Sequence, residues 1–331
     1  KMFSEKFRRI KDEATRSGRP YEDPEFPASS SSLTFQGLWG QDLEWRRPQD
    51  IEDNAKFIVG GAKYDDITQG QLGNCWFISV VATIATDEVL FKRVVPDQEL
   101  DQTGVVCFYF WYDGEWKEII IDDRLPTSKR GRLIYCKNHA QPNEFWCPLL
   151  EKAYAKLYSC YGALDGGLIS EALVDLTGGI GETLNLPPKP TNEYVKTMEH
   201  LSAILLKCTK MNTMLGAGII VNEERSERKY TKLMDEHAYS IIKIVEIEYK
   251  YDYVTLLLMR DPNARNAGHM EWNGAWSENS DEWNHISLDI KRKLEYSQDL
   301  DGQFWISVKD FVKQFDYAYC THLTPDALTS E

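Results

Sequence analysis

The sequence predicts an α+β fold in which a mainly helical part is followed by a mainly antiparallel β part. Three observations predict it. Apolar residues recur at helical spacing after Cys75, at Ile78, Val81, Ala82 and Ala85. Three strand-like runs, "LGAGIIV", "AYSIIKIVEIEY" and "YVTLLLMR", crowd residues 215–260. Between these regions "GALDGGLIS" supplies Gly162, Gly166 and Gly167, a candidate hinge. The expected organisation is an N-terminal helix and connection over 1–35, a helical subdomain over 36–165 and a β-rich subdomain over 166–331.

The elements follow in order. The start, "KMFSEKFRRIKDEA", is charged and reads as a helix rather than a secretory signal. Residues 19–35, rich in proline and serine, read as an extended, mobile connection. Asn74 is a good N-cap, so the first core helix should open at Cys75. "VVCFYFWY" and "EWKEIII" flank Asp113-Gly114, a two-residue hairpin signal. "NEFWCPLLEKAYAKLYSCY" reads as a helix that tolerates Pro148 only in its first turn. A further helix is expected near 192–208, before the strands, and Ser307 with Asp310 resembles a capping box opening a last helix.

The 331 residues, 42% hydrophobic and 12% aromatic, suffice for one large or two medium cores. No apolar run approaches the roughly 20 residues that span a bilayer, so a cytoplasmic protein without a transmembrane segment is expected. Seven cysteines without CxxC pairs or regular spacing argue against a disulfide framework or a zinc ribbon and fit a reducing compartment. A formal net charge of −14 disfavours nucleic acid and leaves carboxylates free for solvation or for hard cations.

"QGQLGNCWFIS" presents Cys75 directly after a turn and at the start of a helix. A free cysteine is commonly a small buried hydrophobe, and that reading stays open. The unpaired N–H groups and dipole of a helix N-terminus, however, favour a thiolate there, which makes Cys75 a candidate nucleophile. Such a nucleophile needs an imidazole, held in turn by a third group. Among six histidines, His139, His200, His269, His285 and His322 fall in loop-like or exposed surroundings. His237 opens a strand; if that strand turns near Lys250 and pairs with "YVTLLLMR", His237 faces the region of Asp261. A solvated surface pair at the open end of a hairpin is the alternative.

"QGQLGNCW", "DDRLPT", "NEFW" with "LLEKAYAK", "DEHAYSI", "MEWNGAWS" and "LTPD", in this order over residues 26–326, resemble the protease core of calpains, the calcium-dependent cytosolic cysteine proteases. The resemblance implies a papain-like core of two subdomains, helical and β, with the active-site cleft between them. It makes Cys75 the nucleophile, His237 the general base and Gln69 the oxyanion glutamine. It also implies protein substrates cut in extended conformation, and an inhibitor protein as a further partner. The family's β-sandwich and EF-hand modules and its regulatory subunit are expected outside this chain. A transglutaminase-like acyl transferase shares the Cys and His chemistry but not these motifs.

The strip "RDPNARNAGHMEW" departs from the family's Arg-Asn-Pro-Trp-Gly. In one frame Asp261 stands for the asparagine and Asn263 for the tryptophan; in another Asn266 is the asparagine. Aspartate can accept the imidazole N–H, and its charge favours an ion pair. Loss of the tryptophan implies a wetter site, and Glu236 replaces the family's usual glycine beside the histidine. The altered strip also motivates the alternative of a calpain-like pseudoprotease that binds calcium or partners.

Calcium takes several oxygens on a bent loop, and "KFIVGGAKYDDITQG" supplies one. The resemblance implies a first site from the carbonyls of Val59 and Gly61 and the carboxylates of Asp66 and Glu144. It maps a second onto Glu271, Glu278, Asp299, Asp301 and Gln303. There Glu278 replaces an aspartate and Gln303 a glutamate, which weakens the site. Tyr64 and Gln303 occupy the positions of the family's arginine–glutamate link between subdomains, so that link cannot form.

Overall fold

The computed structural model describes residues 3–34, 42–63, 67–186, 192–211, 213–220, 233, 236–263, 271–298 and 302–323, with side chains of 192–198 outside the description. The chain divides into two compact units, residues 1–168 with 175–178 and residues 169–174 with 179–331. The chain passes from one unit to the other after Leu168, Val174 and Gly178.

The first unit comprises α1 (Glu5–Ser17), β1 (Leu43–Arg46), α2 (Pro48–Ile51), β2 (Ile67–Thr68), α3 (Cys75–Ile84), α4 (Glu88–Val94), β3 (Val105–Tyr112), β4 (Glu115–Asp122), β5 (Leu125–Ser128), β6 (Lys137–Asn138) and α5 (Trp146–Leu157). Ser4 caps α1 by accepting the Phe7 N–H, and Gly18, at φ 66°, closes it in the left-handed conformation. Phe7 packs with Val105, Cys107, Tyr109 and Ile120 of the hairpin. That hairpin pairs Tyr112 with Glu115 across Asp113 and Gly114, at φ 55° and 77°, the two left-handed residues a type I′ turn requires.

Helix α5 begins at Trp146, so Pro148 lies in its first turn, where its missing N–H costs no hydrogen bond. It carries a fully buried ion pair: the Lys152 Nζ lies 2.8 Å from Asp122 Oδ1 and also donates to the Asp122 and Arg124 carbonyls. Those carbonyls help satisfy an ammonium that burial would otherwise penalise.

The expected mobile connection is corrected. Within residues 19–35, the described part through 34 is packed onto the first unit: Phe26 is 1% exposed and Leu33 2%. The Asp23 N–H donates to Asp122 Oδ2 at 2.8 Å, and its carboxylate pairs with Lys156 at 2.8 Å. Proline and serine composition indicated an extended path but carried no sign of these long-range partners.

The second unit contains most of α6 (Ile169–Thr177), then β7 (Ile180–Asn185), α7 (Asn192–Cys208), β8 (Thr213–Ile219), β9 (His237–Tyr249), β10 (Asp252–Arg260), α8 (Leu288–Lys293), β11 (Gln303–Ser307), α9 (Val308–Gln314) and β12 (Tyr317–His322). Among the described residues its sheet has six strands in the order β11-β10-β9-β8-β12-β7, every pairing antiparallel. Lys250 and Tyr251, at φ 48° and 70°, make the β9–β10 turn. One core joins Leu201 and Leu205 of α7 and Phe311 of α9 to Tyr239, Ile241, Ile244, Leu257 and Met259. Another gathers Trp276, Trp283 and Trp305 with Leu256 and Leu258. Ser307 caps α9 by accepting the Asp310 N–H at 3.1 Å. No described helix is long and apolar enough to cross a membrane.

Candidate active site

In the first unit the turn over residues 69–74 is held from both sides. Gln71 N–H donates to the Ile134 carbonyl at 2.9 Å, and a Cβ on Gly70 would come within 2.3 Å of the Tyr135 backbone. On the other side, Gly73 N–H donates to Asp165 Oδ1 at 3.0 Å, and Gly166 N–H returns to the Gly73 carbonyl at 2.8 Å. Position 70 requires glycine for lack of space against backbone, and position 166 for its φ of 80°.

Asn74 occupies the N-cap position of α3 but makes no side-chain cap; its Nδ2 instead donates to the buried Glu151 at 2.7 Å. A long-range carboxylate thus displaces the local capping bond. Glu151 also accepts the Cys136 N–H at 3.0 Å, and burial pushes its carboxyl up to about 7 despite both hydrogen bonds. Neither partnership carries a local sequence signal.

Cys75 is the first residue of α3 and is partly exposed, whereas the other six cysteines are buried; none of the seven is in a disulfide. The N–H groups of a helix's first turn have no intrahelical acceptor, so this helix end can receive negative charge. Trp76 is 4% exposed, donates Nε1–H to the Leu164 carbonyl at 3.0 Å and fills the space beside Gly167. Gln69 is also buried, with its side-chain amide donating to the Leu72 carbonyl at 2.7 Å.

In the second unit His237 and Asp261 are brought together. The His237 Nε2 lies 2.6 Å from Asp261 Oδ1, with side chains 5% and 0% exposed. Asp261 is itself fixed, its N–H donating to the Gly302 carbonyl and its Oδ1 accepting the Asn263 N–H, both at 2.8 Å. Tyr239 meets the imidazole edge-on at 5.0 Å between ring centres. The preceding Glu236 has φ 51°, left-handed backbone that disfavours a glutamate. Asn266, the alternative orienting residue, lies outside the described residues.

The expected calcium ligands are distributed as follows. Gly60 and Gly61, at φ 69° and 91°, bend the loop that carries the Val59 and Gly61 carbonyls. Glu144 accepts the Val59 N–H at 2.5 Å, Asn138 Nδ2–H at 2.7 Å and Trp146 Nε1–H at 2.8 Å. Its burial raises the carboxyl above the usual range, against the pull of those three donors. The same loop borders a cleft of about 640 Å3 that also carries Glu88, Asp97 and Glu99. A bent loop beside a carboxylate, all oxygen donors, fits a hard cation. Asp66, like Tyr64, lies outside the described residues.

For the second set, Glu271 Oε1 accepts the Gly302 N–H at 2.7 Å, beside Gln303 at the start of β11. The Glu278 carbonyl accepts the Tyr296 hydroxyl. Asp299 and Asp301 lie outside the described residues.

A helix-opening cysteine in one unit and a histidine–carboxylate pair in the other are the residue types of a cysteine protease core, and comparisons with known proteins identify the family. Residues 21–322 match the family model described as calpain family cysteine protease. The chain is 40% identical to human calpain-8 and 38% identical to the bovine calpain-2 catalytic subunit. In each case the match covers all of this chain and 46% and 47% of the relative, respectively. It is 39% identical to Drosophila melanogaster calpain-A over 95% of this chain and 37% of that relative. The chain belongs to the calpain family of cysteine proteases. It spans less than half the length of these relatives.

Proposed function

We propose that this chain is the core of a calcium-activated intracellular cysteine endopeptidase that performs limited proteolysis on extended segments of protein substrates. The observation that carries the reading is the buried 2.6 Å contact between His237 Nε2 and Asp261 Oδ1. In this reading Nε2 donates to the carboxylate and Nδ1 accepts the thiol proton.

In this mechanism the His237 and Cys75 side chains must meet. Nδ1 takes the Cys75 proton, and the sulfur attacks the scissile carbonyl carbon. The carbonyl oxygen becomes an oxyanion, stabilised by the Cys75 backbone N–H and the Gln69 amide. When the carbonyl re-forms, the C–N bond breaks and His237 returns its proton to the leaving amine. Water, deprotonated by His237, then cleaves the thioester. Asp261 keeps the imidazole oriented and stabilises its charged form.

The first metal site would be held by the carbonyls of Val59 and Gly61 and the carboxylates of Asp66 and Glu144. The second would be held by Glu271, Glu278, Asp299, Asp301 and Gln303. Bound Ca2+ would supply positive charge that neutralises these oxygen-rich loops. The regulatory part of the proposal is a calcium-dependent movement about Gly166 and Gly167 that completes the catalytic pairing. Seven cysteines without a disulfide support a reducing compartment, and the reading places the chain in the cytoplasm. Modules beyond this chain and an inhibitor protein belong to the same family-based reading.

Casein cleavage in calcium and in chelator, with Cys75→Ser as control, tests the proposal. Calcium-dependent cleavage lost in the variant supports it, and cleavage unchanged by Cys75→Ser removes the assigned nucleophile. A second reading, a pseudoprotease binding calcium or partners, is favoured by the altered strip "RDPNARNAG" and by the substitutions Glu278 and Gln303 in the second calcium set. Labelling of Cys75 by a mechanism-based epoxide in calcium separates the two: a folded chain whose Cys75 stays inert is the pseudoprotease.

A further inference from the structure

A second constellation of reactive side chains lies in the second unit and takes no part in the proposed catalysis. The antiparallel register of β7 and β12 sets Glu182 opposite Cys320. Cys320 and His322 are two residues apart on β12 and so share one face of the sheet. Their donor atoms converge: Cys320 Sγ lies 3.7 Å from His322 Nε2 and 3.9 Å from Glu182 Oε2, and the last two atoms are 3.0 Å apart. All three lie within 4.8 Å of one another.

Those separations suit one small dication. Tetrahedral zinc with its ordinary bond lengths to sulfur, nitrogen and oxygen separates its ligand atoms by about 3.3–3.6 Å. Only small side-chain adjustments would bring the three donors to that spacing. The donor types discriminate among metals: a thiolate with an imidazole selects zinc-like ions over calcium, which needs more oxygens.

The surroundings fit as well. On β8, Thr213 pairs with His322 in the register, and its Oγ1 stands 3.4 Å from His322 Nδ1. A proton on Nδ1 donated to this hydroxyl leaves the Nε2 lone pair aimed at the cluster, the outer-shell arrangement common for metal-bound histidine. Without a metal, a proton on Nε2 can bridge to Oε2 across the 3.0 Å between them; a bound cation would take that proton's place. Cys320 is 2% exposed, while the His322 and Glu182 side chains are 42% and 57% exposed. This gives an inner soft ligand, an entry path, and room for water in a fourth position.

We propose that Cys320, His322 and Glu182 form a zinc-type site, distinct from the calcium loops, that staples edge strand β7 to β12. Binding there would stabilise the second unit by mass action.

The test uses the whole chain carrying Cys75→Ala, so that neither the candidate nucleophile nor proteolysis contributes and the outcome does not depend on the catalytic proposal. Titration with Co2+ is expected to give a saturable, stoichiometric thiolate-to-cobalt charge-transfer absorption, reversed by Zn2+, and Zn2+ is expected to raise the melting temperature. Cys320→Ser should abolish the absorption, and Thr213→Val should weaken binding about 10-fold. His322→Gln, a change at a partly exposed position, gives the same readout should Cys320→Ser fail to fold. No charge-transfer absorption in the folded parent, or absorption that persists in Cys320→Ser or His322→Gln, overturns the site.

Discussion

His237 and Asp261 share one face of the second unit's sheet because of a β-bulge. From Asp252↔Tyr249 to Leu258↔Lys243 the β9–β10 register is regular, and it then slips to Met259↔Ile241 and Arg260↔Ser240. Continued, the slipped register sets Asp261 opposite Tyr239, two residues from His237 and therefore on the same face. Without the slip Asp261 would lie opposite Ser240, three residues from His237, and the two would point to opposite faces. The core confirms the change of phase, since Ile241 and Ile244 pack together despite odd spacing. Asp261→Ala is expected to lower kcat/KM on a peptide substrate by roughly 100-fold, and Asp261→Asn by less than about 10-fold, because the amide oxygen still accepts from Nε2. Equal losses in both variants would remove Asp261 from the orienting role.

Glu236 bears left-handed backbone immediately before His237. An L residue there costs about 1–2 kcal/mol, and glycine returns about 0.5–1 kcal/mol of that as unfolded-state entropy. Glu236→Gly is therefore expected to stabilise the fold by roughly 0.5–1 kcal/mol. A lower urea midpoint in the variant would contradict this.

Gly167 leaves room for the Trp76 indole, since a Cβ there would lie 2.4 Å from the ring. Gly167→Ala should destabilise by about 1–3 kcal/mol through overpacking. The epoxide labelling rate of Cys75 should fall with it, because Trp76 is the next residue of α3. Wild-type stability and labelling together would show that the indole yields without cost.

Glu151 makes stability pH-dependent in a definite direction. Its folded-state pKa is about 7 against an ordinary 4.5. Below pH 4.5 it is protonated folded and unfolded alike. Between 4.5 and 7 the unfolded chain releases the proton first, so this group's contribution falls as pH rises, by about 3 kcal/mol at most, and is level above 7. Denaturation midpoints across this window should show a shallower decline in Glu151→Gln. An unchanged slope would mean that Glu151 is ionised in the fold.

Glu144 anchors the Val59 N–H, Asn138 and the Trp146 indole at once. Glu144→Ala leaves these donors without their acceptor, at about 1–3 kcal/mol each where they stay dry. A loss of about 3 kcal/mol or more in chelator, together with loss of any calcium-induced rise in melting temperature, is the expected result. A variant that melts like wild type in chelator would show that the carboxylate does not organise this loop.

Several features were legible in the residues alone: the α+β division, the start of α3 at Cys75, the type I′ hairpin at Asp113-Gly114, the span of α7 and the Ser307 cap. Each depends on neighbours a few positions apart, where helical or strand period and turn chemistry act directly. The ordered motifs around Cys75 and His237 likewise made the family readable. Strand β7, "IGETLN", was not: four of its first five residues are exposed, so apolar patterning is missing. Strand β12, largely buried, does not alternate either. Both are held by pairing across more than a hundred residues. Tertiary structure alone decided that Asn74 binds Glu151 instead of capping, that residues 21–34 pack down, and that Glu182, Cys320 and His322 converge. It also decided the bulge that lets His237 reach Asp261. In a sheet one residue of register exchanges the two faces, and that offset is chosen by how the whole core packs, a quantity no local stretch of sequence contains.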